Sequence, residues 1–304
     1  MPPTPEQPTA DTDTVRRLLE SLLQDGGAIE VRPVTEGGEH STWWVGAQHV
    51  LRLAPDGRIS PGLRREVRVR DLVRPYVTVA VPACVAAGEW APGLAYALDT
   101  RLAGESAEGR DVTAAGEEDL AGLLTGLRAV PVGRAVALGV PKAAPRSLEN
   151  LRRAAGAAAR KLDGDGEFDA ERLRQLTGHA VVQLGPQADA VLVHHDLKGE
   201  HLTVSADGRV RGVLDWADAV VGDPAEDIAG LAIAVGARAA VRSATLAGYG
   251  PRVCLRGLWL ARCDAVVRLA DRLYGADGAS PVGLLRVQLE RAWEAILLEL
   301  VSEG

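Results

Sequence analysis

Residues Val191–Leu231 read VLVHHDLKGEHLTVSADGRVRGVLDWADAVVGDPAEDIAGL, and this segment carries the most informative pattern in the chain. Two of its carboxylates, Asp196 and Asp215, each follow a short apolar run typical of a β-strand. Asp207-Gly208 supplies a hairpin turn between the two. Because the hairpin begins after Asp196 and ends before Asp215, we expect both carboxylates at one end of a small sheet. His201 lies at the mouth of the same hairpin and is expected to point at the same volume.

Phosphoryl transfer from a nucleotide needs such a set of side chains. One carboxylate can accept the proton of the incoming hydroxyl, and the other can hold Mg²⁺ together with a neutral ligand. The alternative is that each Asp only caps a turn at a strand end, which is the commoner role of an isolated Asp. The spacing of the whole set favours the chemical interpretation.

The segment resembles the aminoglycoside phosphotransferase family, which shares the protein-kinase fold. The motifs that carry the resemblance are His194-x-Asp196-x-x-x-x-His201, Leu214-Asp215-Trp216 and Gly222-Asp223-Pro224-x-x-Asp227. The resemblance implies that Asp196 is the catalytic base and that Asp215 and His201 are metal ligands. It also implies ATP or GTP as phosphate donor, Mg²⁺ as cofactor and a small-molecule antibiotic as acceptor. Asp227 is expected to anchor the catalytic loop, and Asp223-Pro224 to begin the next helix.

Two residues of the motif need separate comment. His201 replaces the Asn usual in the family, as in the branches that modify macrolides or the 2″ hydroxyl of aminoglycosides. A neutral imidazole can ligate a divalent cation directly or bridge to it through water, and Mg²⁺ prefers oxygen ligands. Lys198 resembles the Lys of serine/threonine kinases that contacts the transferred phosphate, so Lys198 joins Asp196 as a predicted catalytic residue. The alternative is an exposed surface Lys.

The resemblance further implies a nucleotide site in the first hundred residues. Its predicted residues are Gly37, Gly38 and Ser41 in a phosphate-covering loop, Arg52 and Glu66 as an ion pair on the phosphates, and Asp99, Thr100 and Arg101 in a hinge whose backbone bonds the purine. Arg52 stands where most relatives have Lys. Since aromatic residues make up only 4% of the chain, we expect aliphatic side chains around the base.

The order of the elements predicts an α+β, two-lobed, protein-kinase-like fold, with a small antiparallel sheet first and a mainly helical lobe second. Residues 1–103 are the predicted nucleotide-binding lobe, with 1–12 disordered, and residues 104–304 are the predicted helical lobe with the catalytic loop and acceptor site. The pattern also predicts a first helix capped by Asp13 or Thr14, a strand over Val77–Ala86, a loop over Val130–Pro145, a helix over Phe168–Leu184 and a last helix reaching Leu300.

Composition excludes several classes. The 304 residues include 34 basic and 41 acidic side chains, for a net charge of −7, so the basic surface that nucleic acids require is absent. No apolar run is long enough to span a membrane, and no secretory signal is recognisable. Three cysteines, Cys84, Cys254 and Cys263, suit neither a disulfide framework nor a zinc site. We expect a cytoplasmic monomer or homodimer without nucleic-acid or membrane partners.

The acceptor is the open question. Since the charge is close to balanced, an aminoglycoside-like acceptor competes with a less cationic nucleoside, peptide or macrolide antibiotic. The alternatives are a metabolite hydroxyl kinase and a non-catalytic pseudokinase. Asp218, Asp264 and Asp271 are predicted to line the acceptor site, because Asp264 and Asp271 stand seven positions apart on one helical face. Otherwise they pair with Arg268 and Arg272 on a solvated surface.

Overall fold

A computed structural model describes residues 10–23, 29–34, 40–186, 189–275 and 280–296 of the chain. Its first part is a five-stranded antiparallel sheet in the order β1-β2-β3-β5-β4. The strands are β1 (Val31–Pro33), β2 (Ser41–Val45), β3 (His49–Leu53), β4 (Cys84–Ala91) and β5 (Leu94–Thr100). Gly37 and Gly38 of the predicted phosphate-covering loop lie outside the described residues.

Two helices cover the two faces of this sheet. Helix α1 (Thr12–Leu22) packs Val15 and Leu19 against the buried side chains that alternate along β2 and β3. Asp11 caps α1 by accepting a hydrogen bond from the Thr14 N–H at 2.8 Å. The prediction of a cap at Asp13 or Thr14 was therefore wrong, and α1 begins at the end of the segment expected to be disordered.

Helix α2 (Ser60–Val73) covers the opposite face and contacts both parts of the molecule. Leu63 packs on Ala95 and Ala97 of β5. The last turns of α2, through Val69 and Val73, enter the large core of the helical part. Helix α2 thus connects the sheet to the rest of the fold.

The strand predicted over Val77–Ala86 is present only from Cys84 onward. Residues before it instead cross to the second part of the chain, where Ala80 bridges Gly212 in parallel. Pro82 has no N–H to donate to a ladder, and Val79 and Val81 are buried in the helical core. Burial there outweighs local strand propensity.

The second part of the chain is mainly helical and holds two small sheets. Its helices are α3 (Ala114–Ala129), α4 (Val132–Ala137), α5 (Leu148–Gly164), α6 (Gly178–Gln183), α7 (Ala225–Val235), α8 (Ala237–Leu246), α9 (Pro251–Tyr274) and α10 (Val282–Ala292). Its strands are β6 (Glu105–Ser106), β7 (Val191–Val193), β8 (Leu202–Val204), β9 (Val210–Val213) and β10 (Val220–Gly222), arranged as β6-β8-β9 and β10-β7.

Three predictions for this part were wrong. The loop expected over Val130–Pro145 contains α4. The helix expected over Phe168–Leu184 is a 3-10 turn, Ala170–Gln175, followed by the short α6, which Thr177 caps. Helix α10 ends at Ala292, beyond which Trp293 and Ile296 remain buried outside a helix, and the predicted end at Leu300 lies outside the described residues. Among the described residues, no helix combines the length and apolar character needed to cross a membrane.

Candidate active site

The loop between β7 and β8 brings the predicted catalytic and metal-binding side chains together. His201 Nδ1 lies 3.5 Å from Asp196 Oδ2, and His201 Nε2 lies 3.5 Å from Asp215 Oδ2. The β8–β9 hairpin produces this juxtaposition, because Leu202 pairs with Val213 and so places the residues flanking the hairpin side by side. The arrangement is the one that the sequence spacing predicts.

Helix α7 holds the start of the loop between β7 and β8. Asp227 in the first turn of α7 accepts the backbone N–H groups of His194 at 2.9 Å and His195 at 2.8 Å. His195 has a left-handed backbone, with φ of 72°, and the two hydrogen bonds stabilise that turn. Burial raises the pKa of Asp227 to about 7, against the effect of the two N–H donors. The expected anchoring role of Asp227 is confirmed.

His194 is a fully buried ring that joins the loop to the hairpin. Its Nε2 donates to the Leu214 carbonyl at 2.9 Å, and the Asp196 N–H donates to its Nδ1 at 3.3 Å. A neutral imidazole satisfies both hydrogen bonds, since one ring nitrogen donates and the other accepts. Burial lowers the pKa of His194 to about 4. His194 therefore fixes the backbone of Asp196 directly beside Asp215.

Asp196 itself has one engaged and one open carboxylate oxygen in the described part of the chain. Lys198 Nζ lies 2.9 Å from Oδ2, and no described group bonds Oδ1. His201 Nδ1 donates to the Asp196 carbonyl at 2.8 Å, because a carbonyl oxygen can only accept. An incoming hydroxyl could thus donate to Oδ1 while Lys198 holds Oδ2.

The same hydrogen bond bears on whether His201 and Asp215 could hold a cation. With Nδ1 protonated, a neutral His201 turns the lone pair of Nε2 toward Asp215 Oδ2, so two electron-pair donors face each other. Asp215 adopts a left-handed backbone, with φ of 55°. The described residues contain no group of three or more His, Cys, Asp or Glu side chains able to hold a metal. The Asp215 carboxylate fits Mg²⁺, which is commonly bound by one or two carboxylates together with substrate phosphates and water, and the His201 imidazole could reach the ion directly or through one of those waters.

A largely buried arginine, Arg52, lies on the face of the five-stranded sheet that α2 covers. Arg52 in β3 donates to Glu66 Oε2 at 2.7 Å and to Asp99 Oδ2 at 2.9 Å. The predicted ion pair with Glu66 is present. Burial opposes ionisation of Glu66, yet Arg52 and Arg70 outweigh burial and lower its pKa. The contact with Asp99 was not predicted, because it depends on the register that sets Val50 opposite Asp99 on the face Arg52 occupies.

The predicted hinge is only partly suited to bind a base. The N–H of Thr100 donates to the Ala83 carbonyl at 2.8 Å and that of Arg101 to the Gln48 carbonyl at 2.7 Å, so neither is free. The Asp99 side chain is committed to the buried ion pairs. The Arg101 guanidinium lies 4.3 Å from the centre of the Trp44 ring. The hinge prediction was therefore wrong for these N–H groups.

Two further predictions concern the proposed nucleotide side. The aliphatic surroundings expected for a base stay a prediction, and the Arg52 face of the sheet also carries the ring of Trp44, which stands opposite Val50. Ser41 begins β2, and its hydroxyl accepts a hydrogen bond from Trp43 Nε1 at 2.9 Å.

The predicted acceptor residues have different surroundings. Arg146 binds Asp264 at 2.8 Å and Glu226 at 2.6 Å, so the Asp264 carboxylate is already paired. The alternative pairing with Arg268 was also wrong. Asp218 and Asp271 are exposed, and neither has an ion-pair partner among the described residues.

Two carboxylates that the sequence did not single out lie closer to the catalytic loop. Glu200 Oε1 lies 3.8 Å from His201 Nε2. A Cβ at Gly199 would come within 2.8 Å of the Glu108 side chain, so Gly199 permits Glu108 to lie against the loop. Burial and the charge of Glu200 raise the pKa of Glu108. The β6–β8 pairing and the hydrogen bonds from Ser106 and Ala107 to the Gly199 carbonyl bring Glu108 here, and no local motif indicated these long-range contacts.

The fold and this site together define a two-lobed, kinase-like phosphotransferase. A profile of the phosphotransferase enzyme family (APH) matches residues 30–262. The chain belongs to this family.

Solved structures with the same fold include antibiotic kinases. The GDP complex of aminoglycoside 2′-phosphotransferase-IIIa superposes with a TM-score of 0.66 at 20% identity, covering 91% of this chain and 96% of that one. The macrolide 2′-phosphotransferase of Brachybacterium faecium gives 0.60 at 20% identity, covering 90% and 97%. A streptomycin–ATP complex of APH(2″)-IIa gives 0.58 at 14% identity, covering 94% and 98%.

Sequence relatives match over shorter segments. Viomycin phosphotransferase of Streptomyces vinaceus is 34% identical over 84 residues, which are 27% of this chain and 29% of that protein. An uncharacterized protein of Bacillus subtilis (strain 168), YcbJ, is 50% identical over 36 residues, 12% of each chain. The chain thus matches less than a third of the length of either curated relative.

Proposed function

We propose that the protein transfers the γ-phosphate of ATP or GTP to a hydroxyl group of an antibiotic. The observation that carries this proposal is the meeting of Asp196, His201 and Asp215 at one end of the β8–β9 hairpin. Family membership and the nucleotide complexes of structural neighbours support a nucleotide as donor. Intact catalytic-loop carboxylates disfavour the pseudokinase alternative.

The residues divide the reaction between them. Asp196 Oδ1 accepts the proton of the acceptor hydroxyl, whose oxygen bonds to the γ-phosphorus as the bond to the nucleoside diphosphate breaks. Lys198 orients Asp196 and contacts the transferred phosphate. His201 and Asp215 would hold Mg²⁺, which when bound neutralises developing charge on the phosphates. Arg52, fixed by Glu66, contacts the donor phosphates.

The base of the nucleotide is proposed to lie against the chain just after β5. Among the described residues, the N–H groups of Leu102 and Ala103 make no backbone hydrogen bond, unlike those of Thr100 and Arg101. Trp44 and Val50 would cover the base from the sheet.

The acceptor is proposed to be an antibiotic that carries a hydroxyl and some positive charge. Glu200 lies 3.8 Å from His201 and Glu108 lies against Gly199 in the same loop, where both would face such a molecule. The named relatives include aminoglycoside, viomycin and macrolide phosphotransferases, and the candidate acceptors are an aminoglycoside or a nucleoside, peptide or macrolide antibiotic.

A panel assay tests the proposal. The protein is incubated with Mg–ATP or Mg–GTP and, in turn, viomycin, kanamycin, streptomycin and a macrolide, and products are analysed by mass spectrometry. We expect one acceptor to gain a single phosphoryl group, with release of the nucleoside diphosphate. Nucleotide binding without phosphorylation of any acceptor would support the non-catalytic alternative.

A further inference from the structure

Arg52 belongs to a buried network of four charged side chains. Arg70 Nη2 donates to Asp99 Oδ1 at 2.7 Å, while Arg52 Nη2 donates to Asp99 Oδ2 at 2.9 Å, so one carboxylate joins the two guanidinium groups. Glu66 completes the network, at 2.7 Å from Arg52 and 3.8 Å from Arg70. The side chains of Arg70, Glu66 and Asp99 are each at most 4% exposed, whereas that of Arg52 is 15% exposed. Arg52 is therefore the member that meets solvent.

The charges of the network sum to zero. Glu66 alone would neutralise Arg52, and Asp99 would then leave an excess negative charge beside the cation that is proposed to contact phosphate. Arg70 cancels that excess. Buried charges are weakly screened by solvent and salt. The charges of Asp99 and Arg70 therefore alter the electrostatic potential at a bound nucleotide phosphate.

Asp99 also restricts the geometry of Arg52. Glu66 holds one amino group of the guanidinium and Asp99 holds the other, and together they use two of its five N–H donors. The remaining donors are fixed in direction by this two-point contact.

We propose that Asp99 and Arg70 are positioning residues that set the orientation and the effective charge of Arg52 toward the donor phosphates. This inference rests on the proposed nucleotide site. Asp99 lowers the net positive charge of the network, and Arg70 restores it. The two residues therefore act on nucleotide affinity in opposite directions, which a purely structural role would not produce.

The test is a charge cycle read out by calorimetric titration with Mg–ADP and with Mg–GDP. Asp99→Asn leaves the network with a charge of +1, Arg70→Gln leaves −1, and the double variant returns to zero. We expect Asp99→Asn to bind the nucleotide about fivefold more tightly, Arg70→Gln about fivefold more weakly, and the double variant close to wild type.

Matched controls come from an exposed ion pair between α2 and β4. Arg64 of α2 pairs with Glu89 of β4 at 2.6 Å, so Glu89→Gln and Arg64→Gln change the total charge equally but outside the network. We expect both to bind like wild type. Titrations are run below the unfolding midpoint of each variant, and the double variant avoids a lone buried charge.

The outcomes separate the two proposals. A wild-type protein that binds neither nucleotide would refute the proposed function itself. If wild type binds but both single variants weaken binding, or if the double variant is as weak as Arg70→Gln, then Asp99 and Arg70 serve only packing and the inference is overturned.

Discussion

At the residue scale, His194 shows how one buried neutral ring holds a catalytic loop. It accepts from the Asp196 N–H and donates to the Leu214 carbonyl, so protonation would break one of these bonds. Its pKa of about 4 in the folded protein lies below the ordinary value of 6.5. Between these values the unfolded chain binds a proton that the folded protein does not. This residue therefore adds stability as pH rises from 4 to 6.5, and no more above that range.

The variant His194→Gln removes that titration while keeping a donor and an acceptor at the position. We expect the difference in free energy of unfolding between wild type and variant to grow with pH across this window, by up to about 1.4 kcal/mol per pH unit. The raised pKa of Asp227 lowers stability as pH rises, which opposes the effect of His194. Because Asp227 is present in both proteins, its contribution cancels in the difference. Urea unfolding at several pH values measures the difference, and a pH-independent difference would contradict a neutral buried His194.

Residues within one local motif could be predicted from the sequence, whereas residues joined across the fold could not. Asp196, His201 and Asp215 are linked by a short hairpin whose turn is recognisable. Asp99 and Arg52 are 47 positions apart and meet only through the β3–β5 register. The prediction for Asp264 failed for the same reason. Its helical spacing suggested local partners, whereas its carboxylate pairs with Arg146, 118 positions away.

At the scale of elements, α2 links the buried Arg52–Glu66 ion pair to the residues that follow Asp215. Arg65 donates to the Ala217 carbonyl at 2.8 Å, two residues after Asp215. The Trp216 N–H lies 3.5 Å from Glu66 Oε1. These two contacts join α2 to the residues immediately after Asp215.

Arg65→Ala removes the first of these contacts. Since hydrogen bonds from charged donors contribute about 1.5–3 kcal/mol, we expect the Mg²⁺ concentration needed for half-maximal nucleotide binding to rise about tenfold. Arg64→Ala, one position earlier and paired with exposed Glu89, is the control and should leave this concentration unchanged. Equal effects of the two variants would show that the Arg65–Ala217 contact does not position Asp215.

Element types were predictable where amphipathic periodicity was uninterrupted, as in the first helix, α1. They were not where tertiary burial overrode local pattern. Val79 and Val81 alternate like a strand but are buried in the helical core. Phe168–Leu184 has helical spacing, yet a break at Leu176 and Thr177 divides it into two short turns.

At the scale of the whole molecule, the proposed nucleotide contacts come from both parts of the fold. Arg52 belongs to the sheet, and Asp215 belongs to the helical part. A ligand that binds both raises the stability of the folded chain by mass action, about 2.7 kcal/mol at a hundred times its Kd. We therefore expect Mg–ADP to raise the unfolding midpoint more than ADP with a chelator does.

Asp215→Asn should abolish the Mg²⁺-dependent part of that increase, because a neutral amide is a weaker ligand than a carboxylate. Asp271→Asn is the matched control: Asp271 is exposed and has no ion-pair partner in the described part of the chain, so its midpoint should respond as wild type does. Differential scanning fluorimetry gives the midpoints. A full Mg²⁺-dependent increase in Asp215→Asn would place the cation elsewhere.

The most direct test of phosphoryl transfer by this loop is a paired measurement on Asp196→Asn with the acceptor identified in the panel. The variant keeps the shape of the side chain but removes the proton acceptor. We predict that kcat falls by about 10²–10⁴-fold, while calorimetry gives an unchanged Kd for Mg–ADP, because Asp196 acts on the acceptor hydroxyl. Turnover close to wild type with the same Kd would contradict the assignment of Asp196 as the base.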